Sequence, residues 1–217
     1  MFLRPLAIGL SAALLLGGCA SSTTKPTQYS GFLGDYSQLQ PAQSASGAPV
    51  MRWISPELDL QRYRSVVVEK PLFYPAPQPN PQVSQQTLDA IATYLQQAMQ
   101  RELAGRWRIV NQADQDSLVL RSAISAVSLS AEGLKVYEVV PIALVAAAAS
   151  TAAGTRDRNS EIYIELEAID GRNSQPMARL VRKGHGLQLE NDSTQLRLED
   201  IKPVLDTWAK DARTFNP

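Results

Sequence analysis

The stretch Glu161-Ile162-Tyr163-Ile164-Glu165-Leu166-Glu167-Ala168-Ile169 decides the fold, because its side chains alternate between apolar and polar with a period of two. That period belongs to a strand with one covered face. Ile162, Ile164, Leu166 and Ala168 are expected inward, and Tyr163, Glu165 and Glu167 outward. Asp170-Gly171 then reads as a turn, and residues 177–182 as the returning partner strand.

Working outward, residues 117–129 form a longer strand whose apolar phase moves from Leu118 and Leu120 to Val127 and Leu129, which predicts a bulge or bend. Ser65-Val66-Val67-Val68-Glu69 is a β-branched strand stopped by Pro71 and the proline-rich residues 75–81. From Ser84, Leu88, Ile91, Ala92, Leu95 and Met99 recur at helical spacing, with Val83 placed to staple against Leu88 and Gly105 to end the helix. Residues 107–110 form a short strand. Ile201, Val204, Leu205, Trp208, Ala209 and Ala212 trace one face of a closing helix. This order gives an α+β fold, a small mixed or antiparallel sheet packed by two main helices, with an apolar insertion.

The insertion is residues 139–153, almost uncharged and including Pro141, Ile142, Leu144, Val145 and Ala146-Ala147-Ala148-Ala149. A helix of this length falls short of a bilayer span. It reads either as an element buried on the sheet or as a contact for self-association or a membrane, since small residues permit close approach.

The amino terminus has the layout of an export signal: Arg4, an apolar run from Leu6 to Leu16, and the small pair Gly17-Gly18 before Cys19. Leu16-Gly17-Gly18-Cys19 resembles the bacterial lipobox. That resemblance implies diacylglycerol on the Cys19 sulfur, cleavage between Gly18 and Cys19, and a further acyl chain such as palmitate on the freed amine, a stable membrane anchor. Ala20, where an aspartate would favour inner-membrane retention, points to the outer membrane, with the domain facing the periplasm. Residues 1–18 are thus read as the lipoprotein signal peptide, 19–62 as a lipidated tether and lead-in that is mostly loop, and 63–217 as one α+β domain.

The chain has 217 residues, enough for one domain with a real core. Its 21 basic residues balance its 21 acidic ones, so no strong field draws it to nucleic acid. Cys19 is the single cysteine, which excludes an internal disulfide.

Within the lead-in, Ser30-Gly31-Phe32-Leu33 followed by Asp35-Tyr36-Ser37-Gln38-Leu39 is more aromatic than a plain linker. Phe32, Leu33 and Tyr36 either fold back onto the domain or serve as a contact for an envelope partner. Together with the lipobox and the run Trp53-Ile54-Ser55-Pro56 leading to Tyr63, this motif resembles the proteobacterial lipoproteins that share domain of unknown function 3313. The resemblance implies a fold and no established activity.

Catalytic constellations are thin. His185 is the only histidine, sits between Gly184 and Gly186 after the basic Arg179, Arg182 and Lys183, and no Gly-x-Ser-x-Gly elbow accompanies it. No set of residues suits a common zinc site, and no glycine pattern for a nucleotide cofactor is present. Asp114, Asp116, Asp157, Glu165 and Glu167 read as loop and solvated-strand charges. The sequence therefore favours a non-catalytic protein without metal or cofactor, anchored to the membrane. Its expected role is docking on an envelope protein or self-association. The alternative is small-ligand or lipid handling by the apolar residues 139–153.

Overall fold

A computed structural model describes residues 23–131, 158–191 and 193–217. Cys19, the signal peptide and the apolar residues 139–153 lie outside the described residues, as does Asp157.

The elements run β1 (Gln40–Gln43), β2 (Pro49–Ile54), β3 (Ser65–Val68), β4 (Leu72–Phe73), α1 (Gln85–Leu103), β5 (Arg108–Ile109), β6 (Ser117–Ala131), β7 (Arg158–Asp170), β8 (Pro176–Leu189) and α2 (Leu198–Thr214). The strands build one mixed sheet in the order β1-β2-β8-β7-β6-β3-β5, with β4 also pairing β6. β3 lies parallel to both β5 and β6, β4 lies parallel to β6, and the β1–β2, β2–β8, β8–β7 and β7–β6 pairings are antiparallel. The fold is α+β, with both helices on one face of the sheet.

Local sequence explains each helix. Ser84 caps α1 by accepting from the Thr87 amide, and Leu88, Ile91, Ala92, Leu95 and Met99 form its buried stripe. In α2 the buried stripe is Ile201, Val204, Leu205, Trp208 and Ala209, and Pro203 stands inside the helix, where it has no N–H to donate to the Glu199 carbonyl. Burying a Leu or Ile side chain contributes about 1.5–3 kcal/mol each, so these two stripes dominate the packing.

The phase change in β6 is a bulge at Ser125: Ile124 faces Ile164, and the next registered pair is Ala126 with Tyr163. The extra residue carries Val127 back to the helix-covered face that Leu118 and Leu120 occupy. At the hairpin turn the buried Asp170 accepts from the Arg172 amide at 2.8 Å, from Tyr63 Oη at 3.0 Å and from Arg62 Nη2 at 2.7 Å.

Gly184 and Gly186 let α2 lie directly on β8. A Cβ at Gly186 would come within 2.5 Å of the Asp200 carbonyl and 2.6 Å of Ile201 Cδ1, and one at Gly184 would collide with Val204.

The lead-in is mostly loop, as expected, but from Thr24 on it is no free tether: β1 and β2 extend the sheet from Gln40, and Thr24 is only 2% exposed. One expectation is corrected: the second face of β7 is not open to solvent. Glu161, Tyr163, Glu165 and Glu167 are all buried, because residues 24–39 run over that face as a strap.

Candidate functional site

The helices do not fill the space above the sheet completely. A cavity of about 140 Å³ lies between the sheet and the helix pair. Val66 and Val68 of β3, Leu118 and Leu120 of β6, and Ile164 and Leu166 of β7 form its floor; Leu95 and Met99 of α1 and Trp208 of α2 close it from above. Leu166, Ala178, Leu180, Ala212 and Phe215 are only partly buried, and they mark the side on which the cavity meets the surface. The lining is overwhelmingly apolar, so the space suits hydrocarbon better than water, which needs two to four polar partners.

One charged pair stands in this wall. Arg182 of β8 and Asp211 of α2 both line the cavity, with Arg182 Nη1 2.8 Å from Asp211 Oδ2. Arg182 is 5% exposed, and its guanidinium lies 5.3 Å from the Trp208 ring centroid. Burial pulls its pKa below the ordinary arginine value, against the hydrogen bond and charge of Asp211. Asp211 also accepts from the Ser46 amide at 2.7 Å and the Ser46 hydroxyl at 3.0 Å, which ties the β1–β2 turn to α2. The Nε of Arg182 is buried and has no hydrogen-bond partner among the described residues.

The opposite face carries a different arrangement. Glu165 is 0% exposed, and its carboxylate accepts from the Ser30 amide at 2.5 Å and from Tyr36 Oη at 2.6 Å. Tyr36 Oη in turn accepts from the Gly31 amide at 2.8 Å and the Leu33 amide at 3.2 Å. Burial, and then the Glu165 hydrogen bond and charge, push the Tyr36 phenol up to about 12. Glu167 is held by Arg179 Nε at 2.8 Å and Arg121 Nη2 at 3.0 Å, and Glu161 by Tyr163 Oη at 2.9 Å. Each carboxylate is engaged in holding structure.

Of the residues singled out in sequence, Leu33 is buried with Leu39 and Val181, and Tyr36 stacks on Tyr29 at 4.6 Å. Phe32 is partly exposed and meets Tyr74 at 6.3 Å between ring centroids. His185 is 65% exposed on its side chain and places Nδ1 3.2 Å from Glu161 Oε1. Its flanking glycines serve helix packing. Asp114 closes a turn by accepting from Ser117 Oγ at 2.7 Å.

Sequence reasoning grouped Arg182 with a basic run before His185 and missed its site. The signal was present: Arg182 falls in the inward phase of β8, in step with Ala178, Leu180 and Gly184, and a charge on a covered face needs a partner. Among the described residues no cluster of His, Cys, Asp and Glu could hold a metal ion, and no helix is long and apolar enough to cross a membrane.

The chain belongs to the family described as "Protein of unknown function (DUF3313)", which it matches over residues 28–212. It is 44% identical over 207 residues to the "Uncharacterized lipoprotein YdcL" of Escherichia coli K12, a match that covers 95% of this chain and 93% of that protein. The protein of the same name from Escherichia coli O157:H7 gives the same figures. Among solved structures it is distantly similar to PelC dodecamers from Paraburkholderia phytofirmans. The C2 crystal form gives a TM-score of 0.41 at 11% identity over 77% of this chain and 98% of the other. The P6 form gives 0.39 at 11% identity over 75% and 96%.

Proposed function

We propose that this member of the family is a non-catalytic envelope lipoprotein that holds a small apolar group in the cavity between its sheet and its helices. The observation that carries the reading is the apolar lining of a space of about 140 Å³. A cavity of roughly 150 Å³ with such walls takes up benzene, so about six carbon atoms fit. At about 0.8 kcal/mol per buried methylene, six carbons give about 5 kcal/mol, a Kd of roughly 0.2 mM before ordering costs.

Anchoring completes the reading. The export signal, Cys19 in its lipobox and the lipoprotein name of the 44% identical relative support a lipid-anchored protein, and Ala20 supports the outer membrane with the domain in the periplasm. A ligand-handling domain held at a membrane has lipid within reach as a source of apolar groups.

The test is titration of the mature chain carrying Cys19→Ser with toluene, followed through the fluorescence of Trp107 and Trp208 in the cavity wall. Saturable binding in the sub-millimolar range, lost in Ala178→Phe, is expected. A linear response in both forms would end the reading.

Docking on an envelope protein is the second reading, supported by the exposed Leu72 (59%) and Tyr74 beside Phe32. Cross-linking in intact cells separates the two. A stoichiometric protein partner that is lost in Leu72→Ser/Tyr74→Ser supports docking, and copurified lipid without a partner supports ligand handling.

A further inference from the structure

We propose that the cavity takes the chain of a fatty-acid anion, whose carboxylate pairs with the Arg52 guanidinium at the mouth while the alkyl chain lies over Leu180 and Leu166. The proposal rests on the apolar-ligand reading above and names the ligand's chemistry.

The strand register sets the path. Arg52 of β2 stands opposite Leu180 of β8, Leu180 opposite Leu166 of β7, and Leu166 opposite Ser122 of β6. Directly opposed residues share a face, so these side chains form one row across the helix-covered face, and all of them line the cavity. Neighbouring strands lie about 4.8 Å apart, so the row leads about 14 Å inward from Arg52. Phe215, just beyond α2, also lines the cavity and marks the outer end of the row, with Arg52 Cζ 5.6 Å from its ring centroid.

Arg52 sets the charge. It is partly buried, and among the described residues its guanidinium has the Phe215 ring as a neighbour but no hydrogen bond and no ion pair. Every other charged residue of the lining is matched or remote. Arg182 and Asp211 neutralise each other, and Arg179 is held by Glu167 and Asp35. Glu69 follows β3, four strands from β2 in the sheet and so about 19 Å away. The mouth therefore carries one positive charge that the lining leaves unmatched, and a cation drawn partly out of water is best satisfied by an anion.

The place of that charge narrows the class. With the guanidinium at the cavity wall, the anion has to stand at the end of the chain itself. A fatty acid carries its carboxylate there, in the planar form that a guanidinium fork can hold through two parallel hydrogen bonds. A phospholipid's phosphate stands a glycerol and an ester away from its chain, and an alcohol or a neutral ester leaves the cation without a counter-charge.

The test compares water-soluble ligands of one chain length: hexanoate, 1-hexanol, hexylammonium and 1-hexanoylglycerol 3-phosphate. Each is titrated by calorimetry into the mature chain carrying Cys19→Ser, which retains every described residue, at about pH 7, where carboxylates are ionised and amines protonated. Hexanoate should bind about ten-fold tighter than 1-hexanol, a factor that corresponds to about 1.4 kcal/mol. Hexylammonium should bind weakest. Arg52→Gln should bring hexanoate down to the level of 1-hexanol and leave 1-hexanol unchanged, whereas Arg52→Lys, which keeps the charge, should retain part of the preference.

If the parent binds hexanoate no tighter than 1-hexanol, or if Arg52→Gln keeps the preference, the fatty-acid assignment falls while the cavity reading stands. Tighter binding of the glycerophosphate than of hexanoate also overturns it, because the head is then a phosphate. If neither toluene nor any of these ligands binds, the cavity reading itself has failed and the assignment goes with it. Should Arg52→Gln not fold, the order of ligands in the parent and in Arg52→Lys decides: hexylammonium binding as tightly as hexanoate overturns the assignment.

Discussion

The two faces of the sheet are held by different physics. On the helix-covered face, Ile162, Ile164, Val66, Leu118 and Leu120 meet the apolar stripes of α1 and α2, and stabilisation scales with area removed from water. On the strap-covered face, Glu161, Glu165 and Glu167 are buried, and what keeps them there is a set of directed hydrogen bonds and ion pairs. Apolar packing tolerates an imperfect fit, and a cavity survives in it. Buried carboxylates tolerate far less, because each acceptor left unmatched costs the desolvation of a charge.

That contrast can be broken from the helix side first. Leu205→Ala removes a fully buried side chain of α2 and should cost about 2–5 kcal/mol, read as a shift of the urea midpoint with both faces unfolding together. A loss below about 1 kcal/mol would mean that the helices contribute little and that the contrast is misdrawn.

A smaller loss is expected on the strap. Tyr36→Phe removes one hydroxyl that donates to Glu165 and accepts two backbone amides, so about 1–3 kcal/mol should be lost. The loss should be local, with residues 24–39 cut faster in limited proteolysis while the thermal transition of the helices hardly moves. Equal protease resistance would show that the strap is held by Leu33 and Leu39 and not by the Glu165 network.

The last effect sits at the β7–β8 turn, where neither face governs, and its signature is in the pH dependence of stability. Burial raises the Asp170 pKa, but hydrogen bonds from the Arg172 amide and Tyr63 and the charges of Arg62 and Arg172 outweigh it and hold the carboxyl below its usual range. The unfolded value is about 3.9, so this contribution is complete above that pH and is lost as pH falls through the folded pKa. Asp170→Asn should therefore flatten the acid limb of the stability profile below about pH 4 and leave its shape unchanged near neutrality.

What the sequence made legible was local. The stripes of α1 and α2, the inward set of β7 and the bulge in β6 follow from periods of 3.6 and 2 and from one change of phase. The β1–β2 pair was hidden because Gln40-Pro41-Ala42-Gln43 has little strand propensity and no alternation, and it joins the sheet only through β2 on β8. The burial of Glu165 could not be read from its neighbours, since its cover comes from Ser30 and Tyr36, well over a hundred residues away in sequence. The cavity is a property of the gap between elements. Only Arg182, a charge in a covered phase, hinted at it.

The burial of Thr24 has a consequence for reach. Under the anchoring proposed above, with acyl chains on Cys19, only five residue steps would separate the lipid from the buried Thr24, about 17 Å even when fully stretched. Part of that length would be spent in crossing the headgroup layer, which is roughly 5–8 Å deep on each side of the bilayer. On that reading the domain would be moored: it would turn about its anchor without lifting more than about one strand's length from the membrane, and whatever it meets would have to come to that surface.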